Sequence, residues 1–352
     1  MKRYIMIFAL LSAFGWGFTG KASAGESKKS PGRHIVMFYN VENLFDTIPS
    51  PGVVDDEFTP EGKNRWTGKK YWKKMENLEK VFYRLSREEG RYPAIIGVSE
   101  IENRNVLEDL AARPKLRNAN YQIVHYDSPE RRGVDVAFFY RPDVFTLEGS
   151  GPIKTEIEEL HEFDTRYILS MWGTIEGERF CFFVCHWPSR LGGHGVSEFK
   201  RVGAATTVRH AIDSIRTLRP DTRFVVMGDM NDDPSDKSLA EALGGKREID
   251  SLEADDMFNP FWQMHRHGLG TLGYGGAWNL FDNIVVSENL ATGSDGGLKL
   301  YRRDKYHGYI FSRDFLIQKE GSFKDFPLRT YVGGDFQGGY SDHFPVYILI
   351  GR

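Results

Sequence analysis

Eight short apolar runs, rich in β-branched and aromatic residues, recur along the whole chain and set the limits on its fold. They are Ile35–Tyr39, Ala94–Val98, Val134–Tyr140, Tyr167–Trp172, Phe180–Cys185, Phe224–Met227, Ile284–Val286 and Val346–Ile350. Each has the length and composition of a buried strand. Eight strands are too many for a small sheet. Only two stretches carry the three-to-four spacing of a long amphipathic helix: Lys69–Arg87, through Tyr71, Met75, Leu78, Phe82 and Leu85, and Glu198–Leu218, through Phe199, Val202, Ala205, Val208, Ile212 and Ile215. A shorter helix is expected after Pro234. Loops rich in Gly, Pro and Asp fill 46–66, 187–197, 265–279 and 291–308. No repeat or composition break divides the chain, which predicts a single domain over 34–352 behind a polar linker, 25–33.

The first 24 residues are set apart from this pattern. Lys2 and Arg3 precede an apolar stretch, Ile5–Phe18, and Ala22-Ser23-Ala24 supplies a small-residue cleavage site, the layout of a secretory signal peptide. A membrane anchor is the competing reading, but spanning a bilayer takes about 20 apolar residues and this stretch is shorter. The expected location is periplasmic or extracellular. Removal of residues 1–24 takes away Lys2, Arg3 and Lys21 and no acid, which moves the formal charge from -3 to -6. Such a chain is no basic coat protein bound to nucleic acid by bulk charge. Cys181 and Cys185 are the two cysteines. Four residues apart in a strand they lie roughly 13 Å apart, too far for a disulfide.

Several apolar runs end in an acid, an amide or a histidine where strand meets loop, the place at which folds of this kind build sites. Asn40 follows Ile35–Tyr39, where an asparagine also serves as a turn former. Glu100 follows Ile95–Ser99, where a carboxylate also caps helices. Asp229 and Asn231, in Gly228-Asp229-Met230-Asn231, project into one loop and suit an oxygen-ligated divalent cation, or a phosphate with its attacking water. An Asx-turn leading into a helix is the bland alternative. Asp342 and His343 stand ahead of the last strand as a candidate acid/base pair. His186 ends Phe180–Cys185, and Arg190 four residues on has the fork to hold a phosphate. Asp282 opens a strand among apolar neighbours, where a carboxylate is costly unless paired, most naturally with a histidine.

Taken in order, Asn40–Asp46 (Asn-Val-Glu-Asn-Leu-Phe-Asp), Ser99-Glu100, Arg132–Ala137, His186–Arg190, Gly228–Asn231, Phe281–Ile284 and Ser341–His343 resemble the motifs of the endonuclease/exonuclease/phosphatase superfamily. Deoxyribonuclease I, abasic-site endonucleases, sphingomyelinases and inositol polyphosphate 5-phosphatases are members. The resemblance implies a four-layer α/β sandwich, with two mostly antiparallel β-sheets packed face to face and helices outside, as in deoxyribonuclease I. It implies a metal-dependent phosphoesterase in which Glu100 is the principal cation ligand, Asn40 a further ligand or phosphate contact, and Asp342 support for a second metal position or for the attacking water. Asp229 would orient that water, Asn231 hold a phosphate oxygen, and His343, charged by Asp282, contact the scissile phosphate. His186 would be the second histidine, with Asp135 as its carboxylate, so that both imidazoles are expected to be raised in pKa. An oxygen-rich, thiolate-free ligand set calls for Mg²⁺, with Mn²⁺ or Ca²⁺ as alternatives, and no structural zinc.

The expected substrate is nucleic acid, DNA or RNA, cut by an exported nuclease whose groove is lined by Arg131, Arg132, Arg190, Arg201, Trp187 and Trp278. A phosphatase or phospholipase acting on sugar phosphates, inositol phosphates or lipid headgroups is the alternative. For a lipid, the aromatic segment 258–278 would make the membrane contact. Within it, Thr271–Asn279 is either a substrate loop or a Gly-rich hairpin with core aromatics. A non-catalytic binding protein on the same fold is the third reading, and no obligate protein partner is evident.

Overall fold

A computed structural model describes residues 32–352 except 158, 161 and 162. The expected signal peptide and most of the linker lie outside the described residues. All eight apolar runs form strands. In chain order, β1 (His34–Leu44), α1 (Gly68–Glu88), β2 (Ile95–Ile101), α2 (Arg104–Ala111), β3 (Gln122–His125) and β4 (Asp135–Tyr140) make most of a first sheet and its cover. β5 (Phe145–Ile153), β6 (Ile168–Ile175), β7 (Glu178–His186), α3 (His194–Leu218), β8 (Arg223–Asp229), β9 (Gly245–Lys246) and β10 (Met257–Phe258) make most of a second. After α4 (Trp262–Arg266), a hairpin of β11 (Leu272–Tyr274) and β12 (Ala277–Asn279) leads into β13 (Asp282–Ser287), which rejoins the second sheet. The chain then passes through α5 (Glu288–Thr292), β14 (Lys299–Leu300), β15 (Gly308–Ile310) and the hairpin β16 (Tyr331–Val332) and β17 (Asp335–Phe336). It ends its described course at β18 (Val346–Gly351) in the first sheet.

The first sheet runs β14-β18-β1-β2-β4-β3, with β15 also on β18, and the second runs β5-β6-β7-β8-β13-β10-β9. Pairing is antiparallel except for β1 with β2, β7 with β8 and β9 with β10. Central strands are buried on both faces, which is why their sequences read as continuous apolar runs rather than as alternations. In β1, Val36 and Phe38 point into the core between the sheets. Ile35, Met37 and Tyr39 point outward into a layer filled by Met75, Leu78, Phe82 and Leu85 of α1 and by Leu107 and Leu110 of α2. In β7, Phe180, Phe182 and Val184 join the inter-sheet core, whereas Cys181, Phe183 and Cys185 lie under Ala204, Ala205, Val208 and Ile212 of α3. The result is helix, sheet, sheet, helix. Both cysteines are buried and unbridged.

The sheets approach closely at Gly97, where a Cβ would stand 2.6 Å from Met227 Sδ and 3.1 Å from Val184 Cγ2. Some expectations shift. On α3 the buried stripe is Ser197, Arg201, Ala204, Ala205, Val208 and Ile212, not one through Phe199 and Val202, because Arg201 turns inward to meet Asp232 at 2.7 Å. The helix expected after Pro234 is a single wide turn of π-helix, Ser238–Ala242. Strands β3 and β5 have no apolar run to announce them. β5 is an edge strand carrying Gly149, Gly151 and Pro152, which an edge tolerates because one side of its backbone is unpaired.

Candidate active site

Strand register gathers the site at one end of the sandwich. In the second sheet Asp229 of β8 stands opposite Asp282 of β13 and beside His186 of β7, so three functional residues form one row across adjacent strands. In the first sheet Asn40 pairs with Ser99, and beyond it the register of β1 with β2 slips between Asn40 and Leu44, while that of β2 with β4 slips between Ser99 and Ile101. Such bulges re-aim side chains at strand ends. Glu100 lies in the second slip with φ 62, and Glu42, Asn43 and Asn231 have φ 51, 48 and 49. Left-handed backbone is disfavoured for residues other than glycine, and it clusters where function over-determines the geometry.

Asn40 ties the two sheets' contributions together. Its amide nitrogen donates to Glu100 Oε1 at 3.1 Å and to Asp229 Oδ2 at 2.9 Å, while its oxygen accepts from the Glu42 N–H at 2.9 Å. The Asn43 N–H donates to Glu100 Oε2 at 3.0 Å, and the Asn231 N–H to Asp229 Oδ1 at 3.0 Å. Both carboxyls have pKa values above the usual carboxylate range. Burial is the main cause for each, reinforced at Glu100 by Asp342 and tempered at both by His343. Glu100 and Asp229 each offer an oxygen, and His186 its Nε2, all within 4.8 Å of one another. Paired, desolvated carboxylates whose pKa values stay raised despite His343, with hard oxygen donors, fit a divalent cation.

Two imidazoles face Asp229 Oδ2: His186 Nε2 at 3.6 Å and His343 Nε2 at 3.7 Å. Their electrostatics differ. Burial opposes a charged His343, but Asp282 and then Asp229 override it and hold its pKa well above that of a free histidine. The His343 Nδ1 to Asp282 Oδ2 distance is 2.7 Å, and the Asp282 side chain is wholly buried. His186 is held well below, first by burial and then by Arg166 and Arg132. This corrects the expectation that a carboxylate backs each histidine. Asp135 instead meets His125 Nε2 at 3.2 Å and accepts the Ser128 N–H at 3.0 Å, and His186 Nδ1 has no hydrogen-bond partner among the described residues.

Other expected contacts are also revised. Arg190 is committed to Asp236 at 2.7 Å, Asp232 at 3.2 Å and the Asn231 carbonyl at 2.8 Å, and lies over Phe281, so it braces the 229–236 loop rather than gripping a phosphate. Asn40 spends its amide nitrogen on Glu100 and Asp229 and accepts one N–H at its oxygen, which makes it a strut between the carboxylates and leaves that oxygen one lone pair. Asn231 lies at the site, with its amide nitrogen bonded to the Trp187 carbonyl at 3.0 Å. Asp342 is at the rim, 3.9 Å from His343 Nε2 and 31% exposed. Trp187 and Arg201 are buried and line no groove, whereas Arg131, Arg132 and Trp278 are exposed. In 258–278, Phe258 and Phe261 belong to the inter-sheet core, leaving Tyr274 and Trp278 as its exposed aromatics.

Four residues given no role from the sequence support the site. Lys74, fully buried on α1, donates to Thr330 Oγ1 at 2.6 Å and the Tyr340 carbonyl at 2.7 Å and lies 3.7 Å from Glu42 Oε2. Glu42 accepts the Thr330 N–H at 2.6 Å. Arg166 clasps the carbonyls of His186 and Trp187 at 3.2 and 2.8 Å. Arg329 approaches Asp342 at 3.8 Å. Glu42 sits inside the Asn40–Asp46 motif and was open to notice. A buried lysine on a helix has no local signal.

The fold has many known counterparts. D. rerio TDP2 complexed with single strand DNA product is 13% identical with a TM-score of 0.53, covering 91% of this chain and 99% of that one. The human Nocturnin catalytic domain with bound sulfate anion is 14% identical with a TM-score of 0.52, covering 91% and 95%. A Bacteroides thetaiotaomicron VPI-5482 mannosyl-6-phosphatase, Bt3783, is 16% identical with a TM-score of 0.51, covering 90% and 99%. Comparison with curated protein sequences finds no relative. The sequence profile described as Endonuclease/Exonuclease/phosphatase family matches residues 35–352, the span of both sheets and every site residue above. The chain belongs to that family and is a phosphoester hydrolase.

Proposed function

We propose that this protein is an exported, Mg²⁺-dependent phosphodiesterase that cuts nucleic acid by in-line attack of water. The observation that carries the reading is the pair of imidazole Nε2 atoms placed 3.6 and 3.7 Å from one carboxylate oxygen, Asp229 Oδ2, beside Glu100. Bound at Glu100 and Asp229, a divalent cation supplies positive charge against the charge that grows on the phosphate oxygens. The residues do the remainder. His343, kept protonated by Asp282, donates from Nε2 to a phosphate oxygen. His186 stays neutral, and since its Nδ1 has no acceptor among the described residues, its proton sits on Nε2, facing the same place. Asp229, steered by the N–H of Asn231 and the amide of Asn40, orients the attacking water.

Support for nucleic acid comes from the exposed Arg131 and Arg132, from the field that Arg132 exerts on His186, and from the single-strand DNA product held by D. rerio TDP2. A lipid headgroup is less well supported, because the aromatic segment proposed for membrane contact is half buried. Bt3783 makes a phosphorylated sugar the reading to test against. Export is supported by Lys2, Arg3, Ile5–Phe18 and Ala22–Ala24, and N-terminal sequencing of the secreted chain would locate the cleavage. The decisive assay is hydrolysis of plasmid DNA, single-stranded RNA, bis-p-nitrophenyl phosphate and mannose 6-phosphate with Mg²⁺, Mn²⁺ or Ca²⁺ against EDTA, beside His186→Ala and Asp229→Ala. Metal-dependent strand cleavage lost in both variants supports the reading. Turnover of the sugar phosphate alone overturns it.

A further inference from the structure

Arginines near this site differ in how fully their donors are used. A guanidinium carries five N–H donors and prefers planar oxygen partners. Arg190 and Arg166 spend theirs on the carboxylates and carbonyls already described, and Arg132 is bonded to Glu130 Oε1 at 3.0 Å. Arg329 has no side-chain hydrogen bond among the described residues. Its approach to Asp342 Oδ2 is 3.8 Å, beyond hydrogen-bond reach, and its Nε is buried without a partner.

This is a held group rather than a loose one. The guanidinium lies 4.4 Å from the centroid of the Phe323 ring and is 22% exposed. Its backbone is fixed on both sides: the Tyr340 N–H bonds the Leu328 carbonyl at 2.7 Å, and the Gln337 N–H bonds the Thr330 carbonyl at 2.8 Å. Thr330 is anchored in turn by Glu42 and Lys74, both buried. The same frame carries Tyr340 and, two residues later, Asp342 and His343. A cation with free donors is thus fixed beside Asp342, whose other oxygen lies 3.9 Å from His343 Nε2 at the phosphate site.

The geometry points to Arg329 as a substrate-binding residue that holds a second anionic group, the phosphate neighbouring the scissile one along a nucleic-acid strand. This rests on the nuclease reading and deepens it: the enzyme selects substrates by a pair of phosphates, not by one. The Asp342 carboxylate keeps the guanidinium in place until the strand arrives, and a phosphate then takes up the donors bidentately.

The test compares Arg329→Gln and Arg329→Lys with the unaltered chain on a single-stranded oligothymidylate, on bis-p-nitrophenyl phosphate, which has one phosphate, and on a sugar bisphosphate beside its monophosphate. Circular dichroism melts establish that each variant is folded. The expected result for Arg329→Gln is a rise in KM on the oligonucleotide that exceeds any change on bis-p-nitrophenyl phosphate by about tenfold, with kcat little moved. The slope of log KM against log salt falls by about 0.7, the contribution of one single-strand phosphate contact. Arg329→Lys recovers the salt slope and part of the affinity. Equal losses on the oligonucleotide and on bis-p-nitrophenyl phosphate, or an unaltered salt slope, overturn the proposal while leaving the nuclease reading intact. If the unaltered chain cleaves the sugar bisphosphate and no oligonucleotide, the nuclease reading fails. The second-anion role of Arg329 then stands or falls on whether Arg329→Gln loses the preference for bisphosphate over monophosphate.

Discussion

Asp282→Asn tests the division of labour between the two histidines. Asp282 is wholly buried and, among the described residues, forms one side-chain hydrogen bond, to His343 at 2.7 Å, leaving its Oδ1 without a partner. The substitution keeps the shape and removes the charge. Two unit charges about 4 Å apart interact by about 4 kcal/mol at an effective dielectric near 20, an upper bound on what the carboxylate lends to a protonated His343. With each 1.4 kcal/mol worth about tenfold in rate, kcat/KM on bis-p-nitrophenyl phosphate should fall by about 10² to 10³. Folding should suffer much less, because the variant also relieves a buried charge with an unpaired oxygen. The sign with pH is fixed. In the native protein Asp282 keeps His343 protonated through neutrality. Without it, burial is opposed only by Asp229 and Asp342, so the imidazole's pKa falls and the proton is held only at lower pH. The ratio of native to variant kcat/KM, followed from pH 9 down to pH 5, should therefore shrink as acid restores the proton to the variant. A loss below fivefold, or a ratio constant over that range, would refute the assignment of His343 as a charged donor.

Lys74→Met should lower stability by about 3–5 kcal/mol, since it leaves the buried Glu42 carboxylate unpaired. Glu42→Gln in the same chain should return part of that in urea unfolding, whereas additive losses would mean that the two do not form a pair. Glu102 accepts from Ser50 Oγ and the Asp46 N–H, each at 2.7 Å, and burial raises its pKa to about 7. A carboxyl raised above its unfolded value binds protons in the folded state that the unfolded chain has released. Stability should therefore fall as pH climbs from about 4.3 through 7, by about 3 kcal/mol, and Glu102→Gln should flatten that decline. Added Mg²⁺ should raise the melting free energy by about 2.7 kcal/mol at a hundredfold excess over its Kd. EDTA or Glu100→Gln should abolish the gain, and a gain that survives Glu100→Gln would place the ion elsewhere.

What was legible in the sequence and what was not divide along physical lines. Buried strands between two cores read as unbroken apolar runs, so β1, β2, β4, β6, β7, β8, β13 and β18 are visible, and the polar residues ending them mark the site. Local sequence cannot say which partner a side chain finds across the fold. Asp135 was expected beside His186 but finds His125, ten residues away on the neighbouring strand β3. Arg190 reads as free for phosphate because its acidic partners, Asp232 and Asp236, lie more than 40 residues away in sequence. Glu42, Lys74 and Arg166 support the site through contacts of long sequence separation, where composition gives no hint. Edge strand β5 is hidden for the opposite reason: half exposed, with two glycines and a proline, it lacks the apolar run that announces its neighbours.

The position of β18 ties activity to completion of the fold. This strand lies inside the first sheet, between β14 and β1, and pairs with β1 from His34↔Ile350 to Phe38↔Val346. His343 comes three residues before it, and Ser341 Oγ bonds the Asn40 carbonyl at 2.7 Å. A nascent chain would carry Asn40, Glu100 and Asp229 but not the charged imidazole, and the groove meant for β18 would be open. Hydrolytic power can therefore arise only after residues 346–351 have docked, which keeps the hydrolase inert while its chain is still being made.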